Sequence, residues 1–168
     1  MQPESGAPIV LPSGRFAGRE AFAQLVRDAL ACAAQQGWRE IVFSDATFEG
    51  WPLHERLVVE SLSAWSKTGR SFVMLASNYD AVVRNQARFV TWRRKWGHIV
   101  ECRICPNLPA PDFPSIFWSP VWAMRRLDLL RSTGVCGGEP DRRVQIRELL
   151  DELMLGSGPG FPASTLGL

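Results

Sequence analysis

Three times between residues 22 and 104 a segment with helical spacing gives way to a short apolar run, and this alternation constrains the fold more than any other feature. Phe22, Leu25, Val26, Ala29, Leu30 and Ala33 recur at i, i+3, i+4, i+7, i+8 and i+11, which is one face of a helix, and Gly37 stands where a left-handed residue closes it. Ile41-Val42-Phe43 reads as a buried strand that stops at Ser44-Asp45. Pro52 suits the first turn of a second helix, with Leu53, Leu57, Val58, Leu62 and Trp65 inward and Gly69 past its end. Residues 72–76 are the next apolar run. A third helix is expected over residues 80–96, capped by Ser77 or Asn78 and closed by Gly97, followed by a strand over residues 98–104. Each helix is long enough to cross over between parallel strands. The expected class is therefore α/β, a mostly parallel sheet with helices on its faces.

The flanks extend this plan. Residues 8–11 read as a short strand and residues 14–18 as a loop. Pro106, Pro109, Pro111 and Pro114 make residues 106–114 a loop. Two extra strands are expected at residues 116–118 and 121–129, then a C-terminal helix from Pro140 burying Ile146, Leu149, Leu150 and Leu153. The expected organisation is a flexible leader (1–7), a single α/β domain (8–155) and a Gly/Pro-rich surface tail (156–168). A chain of 168 residues, 46% apolar, can bury one core unaided.

Charge and cysteine usage narrow the function classes. A formal charge of +2 is small for a protein that coats phosphates, so nucleic acid is unlikely as a partner on this reading, and a protein partner is preferred. No apolar run approaches the roughly 20 residues of a membrane span, and the first residues show no secretory pattern. Cys32, Cys102, Cys105 and Cys136 read as reduced thiols, which implies a cytoplasmic protein.

Several constellations bear on chemistry. Gly14 to Gly18 precedes a helix, where amides can hold an anion, but it matches neither nucleotide-binding glycine pattern and reads as loop glycines. His98, Cys102, Cys105 and Cys136 are zinc-type residues, yet Cys102 and Cys105 diverge if the strand continues, so no metal and no cofactor are expected. There is no Gly-x-Ser-x-Gly elbow, and His54 and His98 have no evident partner, so no catalytic residue is expected. Asp45 ends a strand with Glu49 four residues on, and Asn78 ends the next strand; open α/β sheets place ligands at such ends. With His54 they form the candidate ligand-binding set Asp45, Glu49, His54 and Asn78. The competing account is that Asp45 caps a turn while Glu49 is solvated. In the expected third helix, Phe89, Trp92 and Trp96 form a core stripe. Arg84, Arg88, Thr91 and Lys95 form a second stripe, with Arg93, Arg94 and Arg103 nearby. Arg84, Arg88, Arg94 and Lys95 are thus a candidate basic surface for phosphate or an acidic partner, or else a solvated face.

The stretches Gly37-Trp38-Arg39-Glu40-Ile41-Val42-Phe43-Ser44-Asp45, Trp51-Pro52-Leu53 and Trp92-Arg93-Arg94-Lys95-Trp96-Gly97-His98 resemble a half-domain of the phospholipase D-like superfamily. Leu166-Gly167-Leu168 adds a likeness to a proteobacterial family of that architecture. The resemblance implies two half-domains sharing a site, each with a His-x-Lys-x(4)-Asp motif whose histidines attack phosphorus and protonate the leaving group. This chain departs from it: His54 is followed by Glu55-Arg56, His98 by Ile99-Val100, and the strand expected to carry the motif reads Ile116-Phe117-Trp118-Ser119. The resulting expectation is a non-enzymatic binding or regulatory module with a degenerate phospholipase D-like fold, paired as a homodimer. One alternative is a phosphodiesterase or nuclease with a non-standard site near Asp45, Glu49 and His54. Another is a STAS-like interaction domain, similar in rhythm over residues 15–88, in which the strands after Pro106 should be missing.

Overall fold

In the computed structural model, which describes residues 8–162, the chain runs β1 (Gly14–Ala17), α1 (Arg19–Gln36), β2 (Glu40–Ser44), α2 (Arg56–Ser66), β3 (Ser71–Ala76), α3 (Asp80–Asn85), α4 (Ala87–Lys95), β4 (Val100–Ile104), β5 (Ser115–Trp118), β6 (Ala123–Asp128), β7 (Thr133–Gly137), α5 (Pro140–Leu155) and β8 (Gly158–Pro159). The expected leader and the motif Leu166-Gly167-Leu168 lie outside the described residues. All the strands join one sheet in the order β1-β7-β6-β5-β2-β3-β4-β8.

The α/β class stands, but the mostly parallel sheet does not. Only β2–β3 and β3–β4 are parallel; every other pairing is antiparallel. Connection length is the reason. Helices carry the chain from β2 to β3 and from β3 to β4, as a parallel return requires. The links β5–β6 and β6–β7 are too short for a crossover and close as hairpins. β1 occupies the segment expected as a loop and pairs with β7, while Ile9, in the expected first strand, donates its amide to the Gln35 side chain. β7 has little to reveal it: Thr133-Gly134-Val135-Cys136-Gly137 lacks an apolar run. A Cβ on Gly134 would lie 2.0 Å from the Arg125 carbonyl oxygen, so this strand packs too closely for any side chain there.

Other boundaries follow from individual side chains. Gly37 adopts φ 68° and closes α1 as expected. The second helix starts at Arg56, and Pro52 sits in the turn before it, its carbonyl accepting the Glu55 amide. The expected single helix over 80–96 breaks at Gln86, which is buried and donates Nε2 to the carbonyls of Phe48 and Trp51.

The sheet divides two cores by the two-residue period of its strands. Ile41, Phe43, Phe72, Met74, Phe117 and Met124 face α1, α2 and α4. Val42, Leu75, Ile116, Trp118 and Ala123 face Ile146 and Leu150 of α5. Phe43 is the hub of the larger core, its ring 4.7 Å from Trp51, 4.8 Å from Phe72 and 5.0 Å from Phe117. The tail returns to this layer: β8 pairs with β4, and Phe161 stacks on Tyr79 at 5.1 Å. Among the described residues no helix is long and apolar enough to cross a membrane.

The four thiols are free and buried, and they are divided by the sheet. Cys102 belongs to the larger core beside Met74, while Cys105 lies in the smaller one against the Leu153 carbonyl. Burial pushes Cys102 up to about 12 and raises Cys32, Cys105 and Cys136 above the ordinary thiol value. Folded thiols therefore hold protons to higher pH than unfolded ones, so stability is retained below the ordinary thiol pKa of about 8.5 and falls as pH rises from there. The native protein at pH 8 is expected to resist an aromatic disulfide reagent, while all four thiols react in denaturant; urea midpoints are expected to fall between pH 8 and 10. Rapid native labelling of Cys102 would contradict the burial.

Candidate functional site

Strand β2 runs out of pairing partners at Ser44, and the chain must turn there with its polar groups satisfied. Ser44 Oγ donates to the Pro114 carbonyl at 2.8 Å, and the Asp45 amide donates to the Leu75 carbonyl at 3.1 Å. Asp45 Oδ2 accepts the amides of Thr47 (3.2 Å) and Phe48 (2.8 Å), an Asx turn that starts the loop to α2. Asp45 Oδ1 accepts Arg126 Nη2 at 3.0 Å, and both side chains are 9% exposed.

Arg126 spends the rest of its fork on two hydroxyls. Nε donates to Ser115 Oγ at 2.9 Å and Nη1 to Ser132 Oγ at 3.3 Å. Its guanidinium carbon stands 4.1 Å from the Phe22 ring centroid, a cation–π contact with α1. One side chain thus joins the loop after β2, strand β5, the β6–β7 hairpin and α1. Two residues bound to this network take left-handed backbone that bulky or branched side chains seldom adopt: Phe48 at φ 61° and Ser132 at φ 51°. Such conformations cost roughly 1–3 kcal/mol each and persist only where their surroundings enforce them. The Asp45 carboxylate and the Arg126 guanidinium are what hold these two.

A cleft of about 780 Å³ opens over the pair, walled by Arg19, Thr47, Glu49, Leu129, Leu130 and Ser132. Of the candidate ligand-binding set, the structure brings together only Asp45 and Glu49. Glu49 is exposed at the rim, its amide donating to Thr47 Oγ1. His54 is exposed and outside the cleft, its carbonyl accepting Arg88 Nη1 at 2.9 Å. Asn78 accepts the Asp80 amide at 3.1 Å, which makes it a turn residue at the start of α3. No cleft-lining side chain is His, Cys or Lys.

The basic stripe is rearranged by the break at Gln86. Arg84 falls on α3, Arg88, Arg94 and Lys95 on α4, and all are exposed. Arg93 is instead buried, donating to the carbonyls of Val100 and Phe161, and Arg103 holds Ser157. Phe89 and Trp92 are core residues as expected, while Trp96 is half-buried.

The central residue that sequence reasoning missed is Arg126. A signal existed: in a strand through Ala123-Met124-Arg125-Arg126, the two-residue period puts Arg126 on the same face as Met124. Met124 is fully buried, so Arg126 must enter the structure and needs an acid.

Against known proteins, no family model matches the chain, and no curated protein does. Solved structures do, among them the following two. An archaeal chromatin protein, TrmBL2, whose structure shows a novel mode of DNA binding, aligns with TM-score 0.64 and 12% identity over 91% of this chain; the chain spans only 56% of TrmBL2. The phospholipase D family member Nuc from Salmonella typhimurium aligns with TM-score 0.60 and 12% identity over 88% of this chain and 98% of Nuc. The chain therefore has a phospholipase D-like fold. Strands β5, β6 and β7, which follow Pro106, are those the STAS-like alternative lacks.

Removing one member of a buried ion pair strands the other's charge, at a cost of about 3–5 kcal/mol. Arg126→Met and Asp45→Asn are each expected to lower stability on that scale in urea unfolding. The double variant should be less destabilised than the two losses added. Single-variant losses below about 1 kcal/mol would show that the pair does not hold the cleft.

Proposed function

We propose that this chain is a non-catalytic binding or regulatory module built on the phospholipase D-like fold. The observation that carries the reading is the state of the cleft at the end of β2. Its two buried charges are spent on each other, and the side chains around them include no histidine, cysteine or lysine. Cleavage through a phosphohistidine, which the phospholipase D-like resemblance implies, needs an imidazole that this lining lacks. Asp45 is held by Arg126, the Ser132 hydroxyl accepts from the same guanidinium, and neither Thr47 nor Ser132 has a histidine or lysine base beside it in the lining. The competing phosphodiesterase reading required His54 beside Asp45 and Glu49, and His54 lies elsewhere on the surface.

The test is turnover of bis-p-nitrophenyl phosphate and of supercoiled plasmid, with and without Mg²⁺ or Mn²⁺. No rate above buffer is expected. Turnover that Glu49→Gln abolishes would overturn the proposal, and because Glu49 is exposed that variant leaves the core intact.

The same reading includes a symmetric homodimer. Leu129 and Leu130 of the β6–β7 hairpin are 38% and 93% exposed beside the cleft, and Leu127 of β6 is 63% exposed next to β1 and β7, apolar surface that a second copy would cover. Light scattering at micromolar concentration is expected to give twice the 18.8 kDa chain mass, and Leu130→Asp to give the monomer. A monomer at every concentration refutes self-association.

A further inference from the structure

The chain's charge is divided unevenly. Residues 54–98 hold eight of the 19 Lys and Arg side chains against three carboxylates, Glu55, Glu60 and Asp80. The remainder of the chain is net acidic, so a formal +2 conceals a strongly basic layer formed by α2, α3 and α4. One of those three carboxylates is already occupied, since Glu55 takes two hydrogen bonds, of 2.7 and 2.8 Å, from Arg27 of α1. Lys67, Arg84, Arg88, Arg94 and Lys95 are exposed and form no ion pair among the described residues.

Of these, Lys67 and Arg88 line a groove of about 480 Å³ between α2 and α4, together with Val59, Ser63, Ala64, Thr91 and the Arg56–Glu60 pair, 3.6 Å apart, while Lys95 extends the α4 side beyond it. On α4, Arg88, Thr91 and Lys95 stand at i, i+3 and i+7, one row along the helix. Arg88 is pre-set by its bond to the His54 carbonyl and keeps other guanidinium donors for a ligand.

We propose that the α2–α4 groove binds the phosphodiester backbone of double-helical nucleic acid without regard to sequence. Exposed cations at the end of α2 and on α4, Lys67, Arg88 and Lys95, none of them in an ion pair among the described residues, suit phosphates, whose contacts position a protein but carry no sequence information. The groove has no aromatic side chain, so the base stacking on which single-strand binders depend is missing, and backbone contact remains. The face is separate from the cleft, and its binding holds whether or not the cleft is inert.

Fluorescence anisotropy with a labelled random-sequence DNA duplex, the matching single strand and polyglutamate, at 50 and 200 mM KCl, tests this. The duplex is expected to bind at low salt at least as tightly as the single strand, and to weaken steeply at 200 mM. Lys67→Gln/Arg88→Gln/Lys95→Gln should weaken duplex binding by at least about tenfold and lower the logarithmic salt slope by about three. Arg19→Gln, at the cleft rim, should change neither. Duplex binding lost in Arg19→Gln but kept in the triple variant would move the contact to the cleft and overturn the proposal. So would no duplex binding at 50 mM KCl, or polyglutamate binding as tight as the duplex. Because all three substituted groups are exposed, an unchanged thermal midpoint separates lost binding from lost fold. Phosphodiester turnover, by contrast, would end the inert-cleft reading and leave this one standing.

Discussion

A guanidinium that leaves water must hand its N–H groups to acceptors, and its charge must meet an opposite charge; either failure costs several kcal/mol. Arg126 meets both conditions by drawing on four separate parts of the chain: Asp45 after β2, Ser115 on β5, Ser132 in the hairpin and the face of Phe22 on α1. That requirement explains features otherwise unconnected. Phe48 tolerates a left-handed backbone because its amide is bound to the carboxylate that Arg126 holds, and Ser132 does so with its hydroxyl on the guanidinium. The Gly18 amide, at the head of α1, donates to the Ser132 carbonyl, so the same hairpin also fixes where that helix begins. The cleft is therefore the visible side of a structural clamp, and its shape follows from the clamp.

This changes what the strand-end position means. Ligands gather at the carboxyl ends of parallel strands because helix N-termini and unfilled backbone amides converge there. Here β2 has a parallel neighbour only in β3; on its other side β5 runs antiparallel and brings β6, with Arg126, across the opening. The Asp45 carboxylate and the Arg126 guanidinium are taken up by each other, while Glu49 and Arg19 stay exposed at the rim. The antiparallel half of the sheet gives this strand end a bracing role.

The parallel half was legible in the sequence because each of its elements is long, periodic and buried on a consistent face. The spacing from Phe22 to Ala33, the closing Gly37 and the runs ending at Ser44 and Ala76 all reappear in place. The antiparallel half was not, for physical reasons. β1 and β7 lie at one margin of the sheet and are built from glycine, threonine and arginine, so neither shows an apolar run. Helix periodicity ran unbroken through Gln86 because the break there comes from a tertiary hydrogen bond to Phe48 and Trp51, which local sequence does not encode. At the site, Asp45 was found by its position at a strand end. His54 was grouped with it by nearness in sequence, and the fold turns it away. Asn78 was grouped by its place at the end of the next strand, where its backbone amide meets the Ala46 carbonyl but its side chain is used on the Asp80 amide.

Net charge hides the distribution of charge in a similar way. A chain-wide value near neutrality decides how the molecule behaves at distances beyond the Debye length, about 8–10 Å at ordinary salt. A polyanion lying in a groove responds to the charges inside that length, and these belong to α2, α3 and α4. On the opposite face of the sheet, α5 is close to balanced, with Arg142, Arg143 and Arg147 against Asp141, Glu148, Asp151 and Glu152. A sheet with helices on both faces can thus concentrate its cations on one side while the chain's sum stays near zero. On the proposed reading, the charges of α2, α3 and α4, and not the sum, set which face a duplex meets first.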